Sequence, residues 1–245
     1  MALLILAPTP EELLALAPGI LPGDIREMRP YPANLKGRDV LFYATGIGPA
    51  NAAMATGYCF GLTSSSEVFG HPWKVELCLL AGLAGAFDLE KRPLRKLYLV
   101  REEIWPEYGL NDGANVVARA FHYPQWKRSE NEAVYDRVEL ADLSSLNSDS
   151  RWLQKMEEEF PPCKSLSVAG VTASFARARQ LESLYHADLE NMEGFSVAFA
   201  CLRAGAPCVE IRSVSNKIGP RSRDEKDFSG ALKSLGIILP QLNLI

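Results

Sequence analysis

The strands of this chain announce themselves as continuous apolar runs, with little alternation between apolar and polar positions. Ala2–Ala7 is apolar throughout and closes on Pro8-Thr9-Pro10, and Val75–Ala81 (VELCLLA) is nearly so before Gly82-Leu83-Ala84-Gly85-Ala86. Runs without a polar face predict strands covered on both sides, as in a sheet sandwiched between helices. Asp39–Ala44, Leu97–Ile104, Ser165–Val171 and Pro207–Val214 read as further strands. Helices are predicted from Pro10 to the Pro18-Gly19 stop, from Pro49 to about Leu62, and over Ser150–Phe160, Ala176–His186 and Gly194–Ala204. A last amphipathic helix is predicted from about Asp224 to Leu239, before Pro240. Thr9 is placed to cap the first helix, with Pro10 at its first turn and Glu12 three residues on, the spacing of a capping box. The stretch Trp105–Leu146 is polar, aromatic and weakly periodic, which predicts loops and short strands.

Strand and helix alternate without a linker, a repeat or a low-complexity stretch. The expected architecture is one α/β domain over residues 1–245, a central mixed, largely parallel twisted sheet flanked by helices. Composition narrows the function. A net charge of −4 lacks the basic face of a nucleic-acid binder. The longest apolar run, Leu77 to Phe87, is too short to span a membrane, and the N-terminal run lacks the basic residues and length of a signal peptide. The five cysteines form no metal or redox spacing, and the three histidines (His71, His122, His186) stand with no Cys or carboxylate at ligand spacing. The expectation is a soluble cytoplasmic protein with no metal and no cofactor.

Candidate chemistry sits where strands end. Gly46-Ile47-Gly48 holds two glycines of a dinucleotide fingerprint, but Asn51 replaces the third and no acidic residue ends a strand about 20 residues later. Both this turn and Gly82–Gly85 can bring backbone close to a ligand. Glu11 and Glu12 follow the first strand; Glu12 reads either as a helix cap or as a site carboxylate. Glu190-Asn191-Met192-Glu193-Gly194 precedes a helix, whose dipole alone would favour acids there. Arg212-Ser213-Val214-Ser215-Asn216 ends the last predicted strand, either entering a site or simply turning.

Taken together these junctions resemble the nucleoside phosphorylase and nucleosidase superfamily, on its 5′-methylthioadenosine/S-adenosylhomocysteine nucleosidase side. Within that group the chain is most similar to the futalosine hydrolases of menaquinone biosynthesis. The segments that carry the resemblance are LLILAPTPEELL (3–14), ATGIGPANAA (44–53), LAGLAGAF (80–87), ENMEGF (190–195) and IRSVSNKIG (211–219). They run through most of the chain in family order, and ENMEG followed by IRxxSN is the specific pair. The resemblance implies a homodimeric, cytoplasmic N-glycosyl hydrolase acting on a purine nucleoside. It matches Glu12 to the glutamate that activates water, Glu193 to the carboxylate on the ribose hydroxyls and Met192 to the apolar contact under the sugar. Ile47 matches a contact at the nucleoside's 5′ end, Ala84 and Gly85 the strand-end backbone at the nucleoside, and Phe175 a base-stacking residue. Arg177 and Arg179 are candidates for a carboxylate at the substrate's far end, or exposed helix arginines.

Asn216 falls where the methylthioadenosine enzymes place an acidic proton donor. A neutral amide can donate N–H bonds to the N7/O6 edge of a 6-oxopurine, where an ionised carboxylate would face acceptors. Asn216 therefore points to hypoxanthine as the leaving base and to futalosine as substrate. The alternatives are a methylthioadenosine or aminodeoxyfutalosine nucleosidase, a phosphorolytic enzyme and a non-catalytic nucleoside binder. The acidic Pro10–Leu14 turn and the Arg-free Leu80–Ala86 segment disfavour phosphate as the nucleophile.

Overall fold

The computed structural model describes residues 2–113, 115–120, 122–130, 132–140, 151–220 and 225–245. The expected helix starts at Ser150 and Asp224, and residues 141–146 of the expected loop region, lie outside them. The first run forms β1 (Ala2–Ala7), and Thr9 caps α1 (Pro10–Leu16) through the full capping box with Glu12. Then come β2 (Pro30–Leu35), β3 (Arg38–Ala44), α2 (Pro49–Gly61), β4 (Val75–Ala86) and β5 (Leu97–Ile104). Two short hairpins follow, β6 (Leu110–Asn111) with β7 (Val116–Val117) and β8 (Trp126–Lys127) with β9 (Ala133–Val134). The chain continues through β10 (Arg137–Glu139), α3 (Arg151–Glu159), β11 (Pro162–Ser167), α4 (Phe175–Tyr185), β12 (Leu189–Asn191) and α5 (Gly194–Ala204). It ends with β13 (Cys208–Lys217), α6 (Phe228–Leu235) and α7 (Ile238–Gln241).

The nine-stranded sheet is mixed. β1 pairs in parallel with β3 and β4, β4 with β13, and β11 with both β5 and β12. β2 on β3, β10 on β5, β12 on β4 and β13 on β5 are antiparallel. The pairings close a circuit, β4–β13–β5–β11–β12 and back to β4, so five strands form a barrel; β1, β3 and β2 extend it openly from β4, and β10 adds to β5. Alternate residues of β1 and β3 feed two apolar clusters on opposite faces. Leu4, Leu6 and Tyr43 pack with α2 and α5, while Ile5, Phe42 and Ala44 pack with α1, α6 and α7. This is the two-sided burial that their apolar runs require.

Three expectations need correction. Gly82–Ala86 is no turn: β4 runs on through it, because its β13 edge stays paired throughout and β12 takes up the other edge at Gly85 and Ala86. Between the end of the β1 pairing at Leu80 and Gly85 that other edge is open. The strand expected over Ser165–Val171 lies earlier, at Pro162–Ser167. Pro162 takes the first strand position, where its missing N–H costs nothing, and residues 168–171 loop away. The last helix is broken in two at Gly236, where a Cβ would lie 3.0 Å from the Ala15 carbonyl of α1; Pro240 sits inside the short α7 rather than beyond it. β2 and the three-residue β12 had no sequence prediction at all.

Candidate active site

Glu12 and Glu193, far apart in sequence, meet around one buried guanidinium. Glu12 lies in the first turn of α1, only 6% exposed. Its Oε2 accepts from Thr9 N–H (3.1 Å), which with the Glu12 N–H to Thr9 Oγ1 bond (3.2 Å) makes the capping box, and also from Thr9 Oγ1–H (2.7 Å). Its Oε1 accepts from the Leu83 N–H of β4 at 2.8 Å. Capping and site roles therefore use different oxygens of one carboxylate. Burial pushes the Glu12 pKa up, against the hydrogen bonds from Thr9 and Leu83 and the nearby Arg212 charge. Gly82 makes the approach possible: a Cβ there would stand 2.8 Å from Arg212 Nη1 and 3.0 Å from Glu12 Oε1. The glycines of this segment are demanded by converging side chains rather than by a bend.

Glu193 stands at the N-cap position of α5, where Asn191 Oδ1 rather than its own side chain takes the first amides, and is 4% exposed. Its Oε1 accepts from the Gly48 N–H at 3.0 Å, tying the start of α2 to the barrel. Its Oε2 lies 3.4 Å from Nη1 of Arg212. Fully buried on β13, Arg212 also donates from Nη1 to the Leu83 carbonyl (3.2 Å), from Nη2 to Asn191 Oδ1 (3.1 Å) and from Nε to Glu210 Oε1 (2.6 Å). The Leu83 peptide thus serves both acids: its N–H binds Glu12 and its C=O binds the arginine that holds Glu193. The carboxylates surrounding Arg212 hold its pKa above the already high value of a free guanidinium, despite burial.

Ile47, 55% exposed, precedes the Gly48 amide that Glu193 binds, and its carbonyl accepts from Asn51 Nδ2 at 2.9 Å. Met192 is half-buried next to Glu193. Asn216, near the end of β13, is half-buried against Gly85, where a Cβ would be 3.1 Å from its Nδ2. Ser215 Oγ–H donates to Asn216 Oδ1 (2.9 Å), and Asn216 Nδ2 donates to the Lys217 carbonyl (2.9 Å). One of the amide's two N–H bonds is thereby engaged. Ala84 is buried, and its carbonyl accepts from Ser215 Oγ at 3.2 Å. Phe175, 45% exposed, lies beside Gly219 with the Lys217 ammonium 5.8 Å from its ring centroid, on the side of the site where β13 ends. Its loop is tied down through Thr172, whose N–H and Oγ1–H reach Glu190 at 2.9 and 2.6 Å.

Arg177 lines a separate cavity of about 270 Å³ with Glu107, Thr172 and Ser174, and its Nη1 donates to Gln180. Arg179 is exposed on α4. Neither has a described contact with Ile47 or Glu193. The sulfurs of Cys78, Cys201 and Cys208 lie within 4.8 Å of one another, a grouping that sequence spacing did not anticipate; they pack inside the α2/α5 apolar cluster. Sequence reading passed over Glu210 and Glu103, and gave Arg212 and Asn191 no role of their own although both stand in the segments it singled out. A signal was present: Glu210 and Arg212 stand two apart in an otherwise apolar strand, so both point to one buried face.

Comparison with known proteins gives the family and agrees with the fold. Residues 2–237 match the model of the phosphorylase superfamily. Futalosine hydrolase of Thermus thermophilus is 31% identical over 232 residues, covering 91% of each chain. Among solved structures, 5′-methylthioadenosine/S-adenosylhomocysteine nucleosidase of Helicobacter pylori superimposes with a TM-score of 0.72 at 20% identity, covering 99% of this chain and 97% of that one. Futalosine hydrolase of Helicobacter pylori does so with a TM-score of 0.70 at 20% identity and the same coverage.

Proposed function

Since the chain belongs to the phosphorylase superfamily, we propose that it is a nucleoside N-glycosyl hydrolase that cleaves futalosine to hypoxanthine and dehypoxanthine futalosine, a step of menaquinone biosynthesis. The observation that carries the reading is the convergence of Glu12 and Glu193 on the Leu83–Arg212 pair at the end of β4. N-glycosidic cleavage passes through an oxocarbenium-like sugar, so it needs a base on water, anchors on the sugar and a donor to the departing purine. Glu12 is the base; a carboxylate with a raised pKa is better matched to proton abstraction near neutrality. Glu193 accepts from the ribose hydroxyls, with Met192 beneath the ring and Ile47 toward the 5′ end. The second N–H of Asn216 donates to the base, Phe175 stacks on it, and the Ala84–Gly85 backbone forms the wall behind.

Water rather than phosphate is the nucleophile, because an anion beside Glu12 would meet two buried carboxylates and an arginine already engaged by them. The exposed face of α2, made of Ala50, Ala53, Met54, Gly57 and Tyr58, carries no charge and suits a second copy of the chain, so the enzyme is a homodimer. Five free, buried cysteines suit a reducing cytoplasm. No helix among the described residues is long and apolar enough to cross a membrane.

Incubation with futalosine, aminodeoxyfutalosine, methylthioadenosine and inosine, with and without phosphate, followed by chromatography of the products, tests the reading. The expected result is free hypoxanthine from futalosine at a rate indifferent to phosphate. A sugar 1-phosphate as main product, or faster release of adenine from the 6-amino substrates, overturns it.

A further inference from the structure

The barrel interior is polar, and its contacts run across the ring rather than along its edge. Asn191 on β12 donates to Glu103 on β5 (2.6 Å) and to Ser165 on β11 (2.7 Å), and Arg212 on β13 reaches Asn191. Ser167 on β11 donates to the other oxygen of Glu103 at 2.7 Å. Asn191 Oδ1 accepts the first amides of α5, from Glu193 (2.8 Å) and Gly194 (2.7 Å). Glu103 and Glu210 are both fully buried and adjacent: a Cβ on Gly194 would lie 2.5 Å from Glu103 Oε1 and 2.6 Å from Glu210 Oε1. Glu210 Oε1 is bound to Arg212, while its Oε2 has no donor. With Glu12 and Glu193, four buried carboxyls stand around one guanidinium.

We propose that Glu103 and Glu210 share one proton, and that Glu210 is a positioning residue that holds Arg212 from behind while the guanidinium's other side holds Glu193 and the Leu83 peptide. The shared proton supplies the donor that Glu210 Oε2 lacks and removes one of two like charges at close quarters. Burial and the mutual repulsion of the two acids push Glu103 well above the usual carboxylate range, and burial pushes Glu210 up as well. The groups that face the pair are Cys163, Ser165 and Ser167 from β11, Asn191 from β12, Glu193 and the amides that open α5, and Arg212 and Cys208 from β13, with Glu12 of α1 beyond Arg212. Arg212 is the one cation among them, so loss of the shared proton leaves an uncompensated negative charge behind the ribose anchor. Activity should then fall on the alkaline side as that proton leaves.

The test uses Glu103→Gln and Glu210→Gln in the intact protein. An infrared spectrum at pH 7 should show a protonated-carboxyl stretch that either variant removes; a band unchanged in both folded variants overturns the shared proton. In kinetics with futalosine, which rest on the nucleosidase reading, Glu210→Gln should lower kcat/KM about tenfold, chiefly through KM, because the ribose anchor is displaced. Glu103→Gln mimics the neutral acid, so its kcat/KM at pH 7 should stay within about threefold and its alkaline limb should move upward or disappear. Equal losses in both variants with an unshifted pH profile mean that the pair only stabilises the barrel. Inactivity of the wild type on every nucleoside fails the functional reading and leaves the infrared result standing.

Discussion

The two sides of the site are built on different principles. The side proposed to hold the sugar is a buried ionic frame: Glu12, Glu193 and Arg212 are at most 6% exposed, and each is fixed by backbone groups of a strand end or a helix start. The base side is a half-open arrangement of neutral groups, with Asn216 held by its neighbours Ser215 and Lys217 and Phe175 nearly half exposed. Charges in a low-dielectric frame act strongly but tolerate no displacement, since an unpaired buried charge is costly. An aromatic ring and one amide can close over a base and open again at little cost. The reaction fits the division, because the sugar carries the developing charge while the base must enter and leave.

Breaking the frame should do most damage. Glu12→Gln removes the proposed base and should reduce kcat by about 10²-fold or more with futalosine binding nearly retained, read by steady-state kinetics and calorimetry. In the wild type, activity should decline on the acid side through a pKa above the ordinary carboxylate range. The sign follows from the raised value: protons return to Glu12, and the base is lost, at a higher pH than for an exposed acid. Wild-type turnover in Glu12→Gln would reduce Glu12 to a helix cap. Glu193→Gln should weaken both kcat and KM, by about 10–100-fold in kcat/KM, since a hydrogen bond to a charged acceptor contributes roughly 1.5–3 kcal/mol.

On the base side the effects should be smaller and selective. Asn216→Asp should lower kcat/KM for futalosine by about tenfold or more relative to its 6-amino analogue, because an ionised acid would face the O6 acceptor. An unchanged ratio means that the amide does not choose the base. Phe175→Ala should raise KM by about 2–10-fold with kcat little altered, the scale of one aromatic contact. A kcat loss as large as that of Glu12→Gln would place Phe175 in the frame instead.

What the sequence disclosed follows the same division. The capping box at Thr9–Glu12 and the helix over Gly194–Ala204 are local patterns, and the structure reproduces both. The barrel is not local. It closes through β12, three residues whose sequence, Leu-Glu-Asn, shows no strand period, and it is the meeting of Asn191, Glu103 and Glu210 inside the ring that needs them polar. Gly82 and Gly85 looked like turn glycines because sequence cannot distinguish a bend from a place where other side chains press on a strand. The split at Gly236 likewise depends on α1 passing close by, which no periodicity within the helix reveals.

The closed circuit of strands also determines where the molecule can breathe. A strand at an open edge sheds its outer hydrogen bonds one at a time, and local opening starts there. β13, β11 and β12 each have a partner on both sides, so the backbone that carries Arg212 and Asn191 opens only when the ring itself comes apart. Amides along these strands should exchange with solvent as one cooperative unit, at rates governed by global unfolding. In the loop that follows β11, the amides of Val168, Ala169 and Thr172 are bound to Asn191, Glu107 and Glu190, while those of Gly170, Val171, Ala173 and Ser174 have no acceptor among the described residues and should exchange far sooner. Motion during turnover therefore belongs to the loop that leads into Phe175 and α4, while the backbone that carries Arg212 and Asn191 stays locked in the slowest-opening part of the fold.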